Sequence, residues 1–228
     1  MYMGGKVLFI GKAGHADSVT AATHIQQLFP GARVVFSRRT DPFPQELLAW
    51  EGDLLISYLA QWIIPGSLLE KAAVAAINFH PGPPAYPGIG CTNFAVYNGE
   101  KEFGITCHHM KARVDSGAII AVRRFPVTPD DTVYAITQRC YAEILTLFYE
   151  LMGQYAKNGS FPVSGETWQR KPYTRKQLDA LCVLQPGMSR EEIALRLKAT
   201  TYGSRVWAQV EHQGALVPYE EALKSGLI

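Results

Sequence analysis

Asn78 and His80 stand two residues apart in the stretch "INFHPGPPAYPGIG". An apolar, strand-like run ends there and breaks into prolines and glycines. Side chains two apart on a strand project to the same side, so an amide and an imidazole face one place. Proline fixes φ and glycine lets backbone approach a ligand, which makes the following loop a stiff wall beside them. A second cluster lies in "HHMKARVDSG". His108 and His109 close one strand, and Asp115 stands just before the next. Asp115 precedes a Ser-Gly pair, so it also suits an Asx turn. Together, an Asn, a His and an Asp at one edge could handle acyl transfer. The amide and a protonated imidazole would stabilise an oxyanion, and the carboxylate would steer protons.

Other chemistries are poorly served. "GCT" at 90–92 is not a nucleophile elbow of the G-x-S-x-G kind. "GKAGHADS" at 11–18 lacks both G-x-G-x-x-G and the lysine-serine ending of a P-loop. It is either an ordinary strand-to-helix turn or a place where Lys12 meets a substrate phosphate. His80, His108, His109 and Asp115 are acceptable metal ligands, but there is no H-E-x-x-H, and adjacent strand histidines point to opposite faces. No metal site is expected.

The elements that must position these residues alternate through the first half. "KVLFIG", "ARVVFSR", "DLLISYL" and "AAINFH" read as buried strands. Between them lie helical stretches at 18–29, 42–50 and 65–73. Continuous apolar strands alternating with helices argue for a Rossmann-like α/β fold: a mostly parallel sheet with helices on both faces. Ligands bind such sheets beyond the carboxyl ends of the strands, where Asn78 and His80 stand. A helix at 92–100, two strands at 102–110 and 117–127 that could extend the sheet antiparallel, and a helix at 132–155 complete a domain spanning 1–155. Residues 156–186, rich in turn formers and basic residues, read as a connector. A small C-terminal α+β module at 187–228 opens with a capping box of Ser189 and Glu192 and carries a hairpin around Gly214.

The chain has 228 residues, 22 basic against 20 acidic, for a net charge of +2. That balance gives no electrostatic case for a nucleic-acid partner. Four widely spaced cysteines form no C-x-x-C pair and read as reduced, mostly buried thiols. No apolar run reaches the ~20 residues that span a bilayer, so no membrane partner and a cytoplasmic location are expected. The apolar tail and the 132–155 helix leave room for a homodimer.

The Asn-x-His at a strand end, the "HPGPPAYPG" loop, the "GITCHH" strand and an Asp seven residues after a His resemble the N10-formyltetrahydrofolate-dependent formyltransferases over residues 5–150. "INFHPGPPAYPGIG", "CHHM" and "WQRKPYTRKQLDAL" look most like the sugar-nucleotide N-formyltransferases. The resemblance implies a catalytic triplet of Asn78, His80 and Asp115, with N10-formyltetrahydrofolate as co-substrate. It implies a pterin pocket lined by Trp62, Ile63, Ile64 and Val114, with His108 supporting the loop near it. The acceptor would be a nucleotide-linked amino sugar, a 4-amino-4,6-dideoxyhexose. Lys12, Pro81 and Gly88 would face it. Arg170, Lys171 and Arg175 would suit its pyrophosphate, and Tyr173 or Trp168 would stack on its base. The alternatives are formyl transfer to another amine, such as glycinamide ribonucleotide, or formyltetrahydrofolate hydrolysis.

Overall fold

The computed structural model of the chain describes residues 5–227. A six-stranded sheet has the order β2-β1-β3-β4-β5-β6. Its strands are β1 (Val7–Lys12), β2 (Arg33–Ser37), β3 (Gly52–Tyr58), β4 (Ala72–His80), β5 (Glu102–His109) and β6 (Ile119–Pro126). The first four run parallel. β5 and β6 extend the sheet antiparallel, as the sequence leads one to expect. The unbroken apolar run of β1 follows from burial on both faces. Val7 and Phe9 enter one core beneath α1 (Ala16–Leu28) and α4 (Val133–Asn158). Leu8 and Ile10 enter a second core with Leu47, Trp50, Leu55 and Leu68.

The helical segments between strands are shorter than their pattern suggests. Residues 42–50 hold only a 3-10 turn at Gln45–Ala49. In 65–73 only α2 (Gly66–Leu69) is helical, because Ala72 already pairs with Gly52 in the sheet. α3 (Cys91–Asn98) follows the Pro/Gly loop. α4 begins at Thr132, whose side chain caps Ala135 N, and runs past 155 to Asn158. Tyr155 is fully buried, which holds the last turn on the sheet, and Gly159 at φ 69° ends it. Val133, Ile136, Cys140, Ile144, Leu147 and Leu151 are all buried on one face. Cys91, Cys107 and Cys140 are buried free thiols and Cys182 is half-buried.

The segment 156–186 is packed structure rather than a loose connector. α5 (Arg175–Cys182) carries a full capping box, Thr174 with Gln177. Tyr173 is buried in the main core, stacked on Phe94 at 3.8 Å between centroids. β7 (Val183–Leu184) then joins the sheet of the small module. That module holds α6 (Arg190–Thr200), the two-residue strands β8 (Thr201–Tyr202) and β9 (Arg205–Val206), the hairpin β10 (Gln209–His212) and β11 (Ala215–Pro218), and α7 (Tyr219–Lys224). The hairpin turns at Gln213 and Gly214, both at positive φ, as type I′ geometry requires. The expected capping box of α6 is only half formed. Ser189 accepts from Glu192 N, but the Glu192 carboxylate accepts from Arg196 and Tyr97 instead. These bonds tie α6 to α3, so the module sits firmly on the main domain.

Phe148 packs its ring edge-on against Phe9, Tyr58 and Phe79 at the sheet's centre and is fully buried. Phe148→Ala is expected to cost about 3–5 kcal/mol in urea unfolding. A cost under about 1 kcal/mol would show that α4 is not anchored there.

Candidate active site

Asn78 and His80 end β4, as their spacing implies. The antiparallel register sets Asn78 opposite His108, which brings a second imidazole to the first amide. The chain then turns through residues 110–118 and returns Asp115 to the same spot. This return is tight. Asp115 itself sits at φ 43°, and a Cβ at Gly117 would lie 1.7 Å from His109 O, so only glycine fits there.

The centre is the Asp115 carboxylate, 6% exposed. Oδ2 accepts from Gly88 N at 2.7 Å and lies 3.3 Å from His80 Nδ1. Oδ1 lies 3.2 Å from His108 Nε2. Burial alone would push this carboxyl up. His80 first, then the hydrogen bond and charge of His108 and the Gly88 amide, overcome that and hold it down at about 2. His80 Nε2 donates to Tyr86 O at 2.8 Å. Both His80 nitrogens therefore face oxygens that can only accept.

His108 Nδ1 donates to His109 O at 2.8 Å. His108 Nε2 lies 3.2 Å from Asp115 Oδ1 and 3.1 Å from Asn78 Nδ2, which sets the Asn78 amide beside the carboxylate.

Two cavities meet at this centre. One, of about 240 Å³, is lined by Trp62, Ile63, Ile64, His108 and Val114 together with Asn78 and Asp115. All five residues expected at a pterin pocket are thus brought together. Trp62 is braced by a hydrogen bond to Asp41 O at 3.0 Å and by the edge of Phe43. The side chains of Trp62, Ile63, Ile64 and Val114 give this cavity an apolar side that suits a flat heterocycle. The second cavity, of about 680 Å³, contains Lys12, Asn78, His80, Pro81, Gly88 and Asp115. Ile63 and Val114 border both cavities and are exposed, which marks the seam between them.

The residues expected to hold a pyrophosphate and a base divide differently. Arg175 lines the second cavity, whereas Arg170 and Lys171 are not among its described lining residues. The Arg170 guanidinium lies 3.4 Å from the centre of the Tyr173 ring, whose other neighbour is Phe94. Tyr173 is 8% exposed and has no face left for a base. Trp168 donates to Gly117 O at 2.8 Å and sets its ring edge-on to His108 and His80. It backs the two imidazoles. Sequence reasoning missed this bracing role, and it missed Arg39, Tyr141, Tyr202 and Trp207, which also line the large cavity. Arg39 follows the end of β2, a position that marks a candidate in a parallel sheet. The tail aromatics carry no local signal.

The Pro/Gly loop is held from outside by the 156–186 segment. Gln169 N donates to Pro84 O, Tyr173 N to Pro87 O, and Ile89 N to Tyr173 O. Gly88 sits at φ 91° inside this clamp, and a Cβ there would meet Tyr173 O at 2.3 Å. Gly88→Ala is expected to cost at least about 1–3 kcal/mol of stability and to displace the amide that Asp115 accepts from. A variant as stable and active as the parent would contradict the clamp.

The depressed Asp115 carboxyl has a defined pH signature. Its folded value lies below the unfolded one, so its stabilisation is complete above about pH 4 and is lost as pH falls toward 2. At about 1.4 kcal/mol per unit, this is on the order of 2 kcal/mol. Asp115→Asn should flatten that part of the stability–pH curve, measured by urea unfolding at each pH. An unchanged slope would show that the carboxylate is not held by its two imidazoles.

Comparison with known proteins agrees with the geometry. The chain shares a fold with the Helicobacter canadensis N-formyltransferase solved with folinic acid and dTDP-3-aminofucose. The TM-score is 0.69 at 16% identity, covering 92% of this chain and 84% of that one. A methionyl-tRNA formyltransferase of Listeria monocytogenes is 35% identical over 111 residues, 47% of this chain and 36% of the relative. A GDP-perosamine N-formyltransferase of Brucella melitensis is 32% identical over 104 residues, 45% of this chain and 40% of the relative. The chain is thus matched over well under half the length of these curated relatives. The formyl transferase family model matches residues 12–149, more than half of the 228 residues and all three of Asn78, His80 and Asp115. With its parallel sheet, its strand-end Asn-x-His and the returning aspartate, the chain belongs to the formyl transferase family.

Proposed function

We propose that the protein transfers a formyl group from N10-formyltetrahydrofolate to the amine of a nucleotide-linked amino sugar, a 4-amino-4,6-dideoxyhexose. The observation that carries this is the meeting of two cavities at Asn78 and Asp115. One has the shape and apolar lining for a pterin. The other is larger and carries the cations Lys12, Arg39 and Arg175. A transferase between two bound molecules needs such a junction, and a hydrolase needs only the first cavity. The Brucella and Helicobacter proteins act on or were solved with nucleotide-linked sugars, which supports the choice of acceptor.

The folate supplies a formyl carbon bound to nitrogen. Transfer makes one C–N bond to the acceptor, breaks one to the leaving nitrogen, and moves one proton from the first nitrogen to the second. Asn78 donates an amide N–H to the formyl oxygen as negative charge grows there. His80 adds positive charge beside it. Asp115 bridges His80, which lines the acceptor cavity, and His108, which lines the folate cavity. With its carboxyl held at about 2 it is a weak base. Its part is to hold the imidazoles and pass a proton during the reaction rather than to store one beforehand.

The test is transfer by the full chain from N10-formyltetrahydrofolate to a panel of nucleotide-linked amino sugars, read by mass spectrometry. Asn78→Ala should lower the rate about 10²–10³-fold, with folinic acid binding retained. A protein that binds the folate and formylates no such amine would overturn the proposal. The Listeria similarity carries a second reading, formylation of methionine on its tRNA. That acceptor belongs in the same panel and would replace the sugar if it alone reacts.

A further inference from the structure

The large cavity has a wall that neither the triplet nor the folate uses. Tyr202 and Trp207, from the β8–β9 hairpin of the small module, line it along with Lys12, Arg39 and Arg175. The two aromatic rings are parallel within 5°, with centroids 6.3 Å apart. Trp207 is 39% exposed, and the Arg205 guanidinium lies 5.9 Å from the centre of its ring. The hairpin is not free to drift. Trp207 N donates to Thr200 O, Gln138 Nε2 donates to the Tyr202 hydroxyl, and Tyr134 meets Tyr202 edge-on. Asn93 Nδ2 donates to the buried Ala199 O, fastening the preceding helix to the main domain.

The same cavity is electrostatically one-sided. Asp115 is the single acidic residue among its described lining residues, and it is consumed by its two imidazoles. Lys12 and Arg39 pair with no carboxylate among the described residues. The nearest partner of the Lys12 ammonium is the Tyr141 hydroxyl, at 3.4 Å. Arg175 has only a long, exposed contact with Asp179, at 3.8 Å. Burial first, and then the neighbouring Arg39, push the Lys12 ammonium down, the direction expected of cations gathered without a counter-ion.

Resting on the proposed acceptor class, we infer that the small module forms the nucleoside wall of the acceptor site. The base stacks on the Tyr202–Trp207 platform, and Lys12, Arg39 and Arg175 take the diphosphate. A flat aromatic face with unpaired cations nearby matches the two ends of a nucleoside diphosphate, a π surface and a dianion. The sugar then lies between them and the triplet. This assigns to the module a role in choosing the nucleotide.

The experiment titrates the full chain with two probes, a set of nucleoside diphosphates (UDP, GDP, dTDP) and inorganic pyrophosphate, by calorimetry. At least one nucleoside diphosphate should bind about ten-fold or more tightly than pyrophosphate, as base stacking on an aromatic contributes. Trp207→Ala should reduce that diphosphate to the level of pyrophosphate, leaving pyrophosphate and folinic acid binding unchanged. Trp207→Phe should keep most of the difference. Trp207→Leu keeps apolar bulk without the aromatic face and gives the same readout should the alanine variant fail to fold. Lys12→Ala should weaken both probes. Equal binding of all probes to the parent, or a difference that survives Trp207→Ala, would overturn the inference. Failure of the reaction is separable. If the Trp207-dependent difference holds but no nucleotide-linked amine is formylated, the acceptor is wrong and the nucleotide wall stands. If the amine is formylated with the same KM by parent and Trp207→Ala, the reaction stands and the wall is wrong.

Discussion

One buried carboxylate organises this protein. Asp115 lies out of water, and a charge there survives only with partners. Those partners come from three separate parts of the chain: His80 at the end of β4, His108 at the end of β5, and the Gly88 amide in the Pro/Gly loop. Each brings its own constraint. The histidines require the antiparallel register that pairs Asn78 with His108. The amide requires a loop pinned from outside. The carboxylate's own placement requires a left-handed Asp115 and a glycine two residues later. Removing any of these leaves a buried charge without compensation.

The stiffness of the loop has a physical origin that composition does not reveal. Proline and glycine limit its shapes, but its position is set by three backbone hydrogen bonds to residues 169–173 and by Thr106 and Cys91, which donate to Gly82 O and Pro81 O. The 169–173 strip is in turn held by Tyr173, sandwiched between Phe94 and Arg170. A segment with the composition of a linker is thereby the outer brace of the catalytic edge. Its trailing end then enters the sheet of the small module, so the two parts of the chain share a support.

Much of this was legible in the sequence, for definite reasons. β1, β3 and β4 are buried on both faces and read as unbroken apolar runs. Asn78 and His80 close a strand, where polar residues stand out against such runs, and Asp115 lies in the turn before the last strand of the sheet. The residues expected at a pterin pocket, Trp62, Ile63, Ile64, His108 and Val114, do share one cavity. What stayed hidden depends on distant contacts. Arg170 and Tyr173 have the types that bind nucleotides, yet they stack on each other, because Phe94 lies beneath them. The helix after Thr174 was signalled by a T-x-x-Q box, but basic neighbours disguised it. Tyr202 lies in a strand of two residues and Trp207 just after another, too short for any periodicity, and only the packing of α6 on α3 carries them to the cavity.

In the proposed reaction two adjoining cavities hold two molecules at once, with Asn78 and Asp115 between them. Calorimetric titration of a nucleoside diphosphate into protein already saturated with folinic acid decides this. The nucleotide is expected still to bind, one per chain, with an affinity close to that of the folate-free protein. Competition, with folinic acid excluding the nucleotide, would mean that the cavities are one site, and transfer between them could not occur as described.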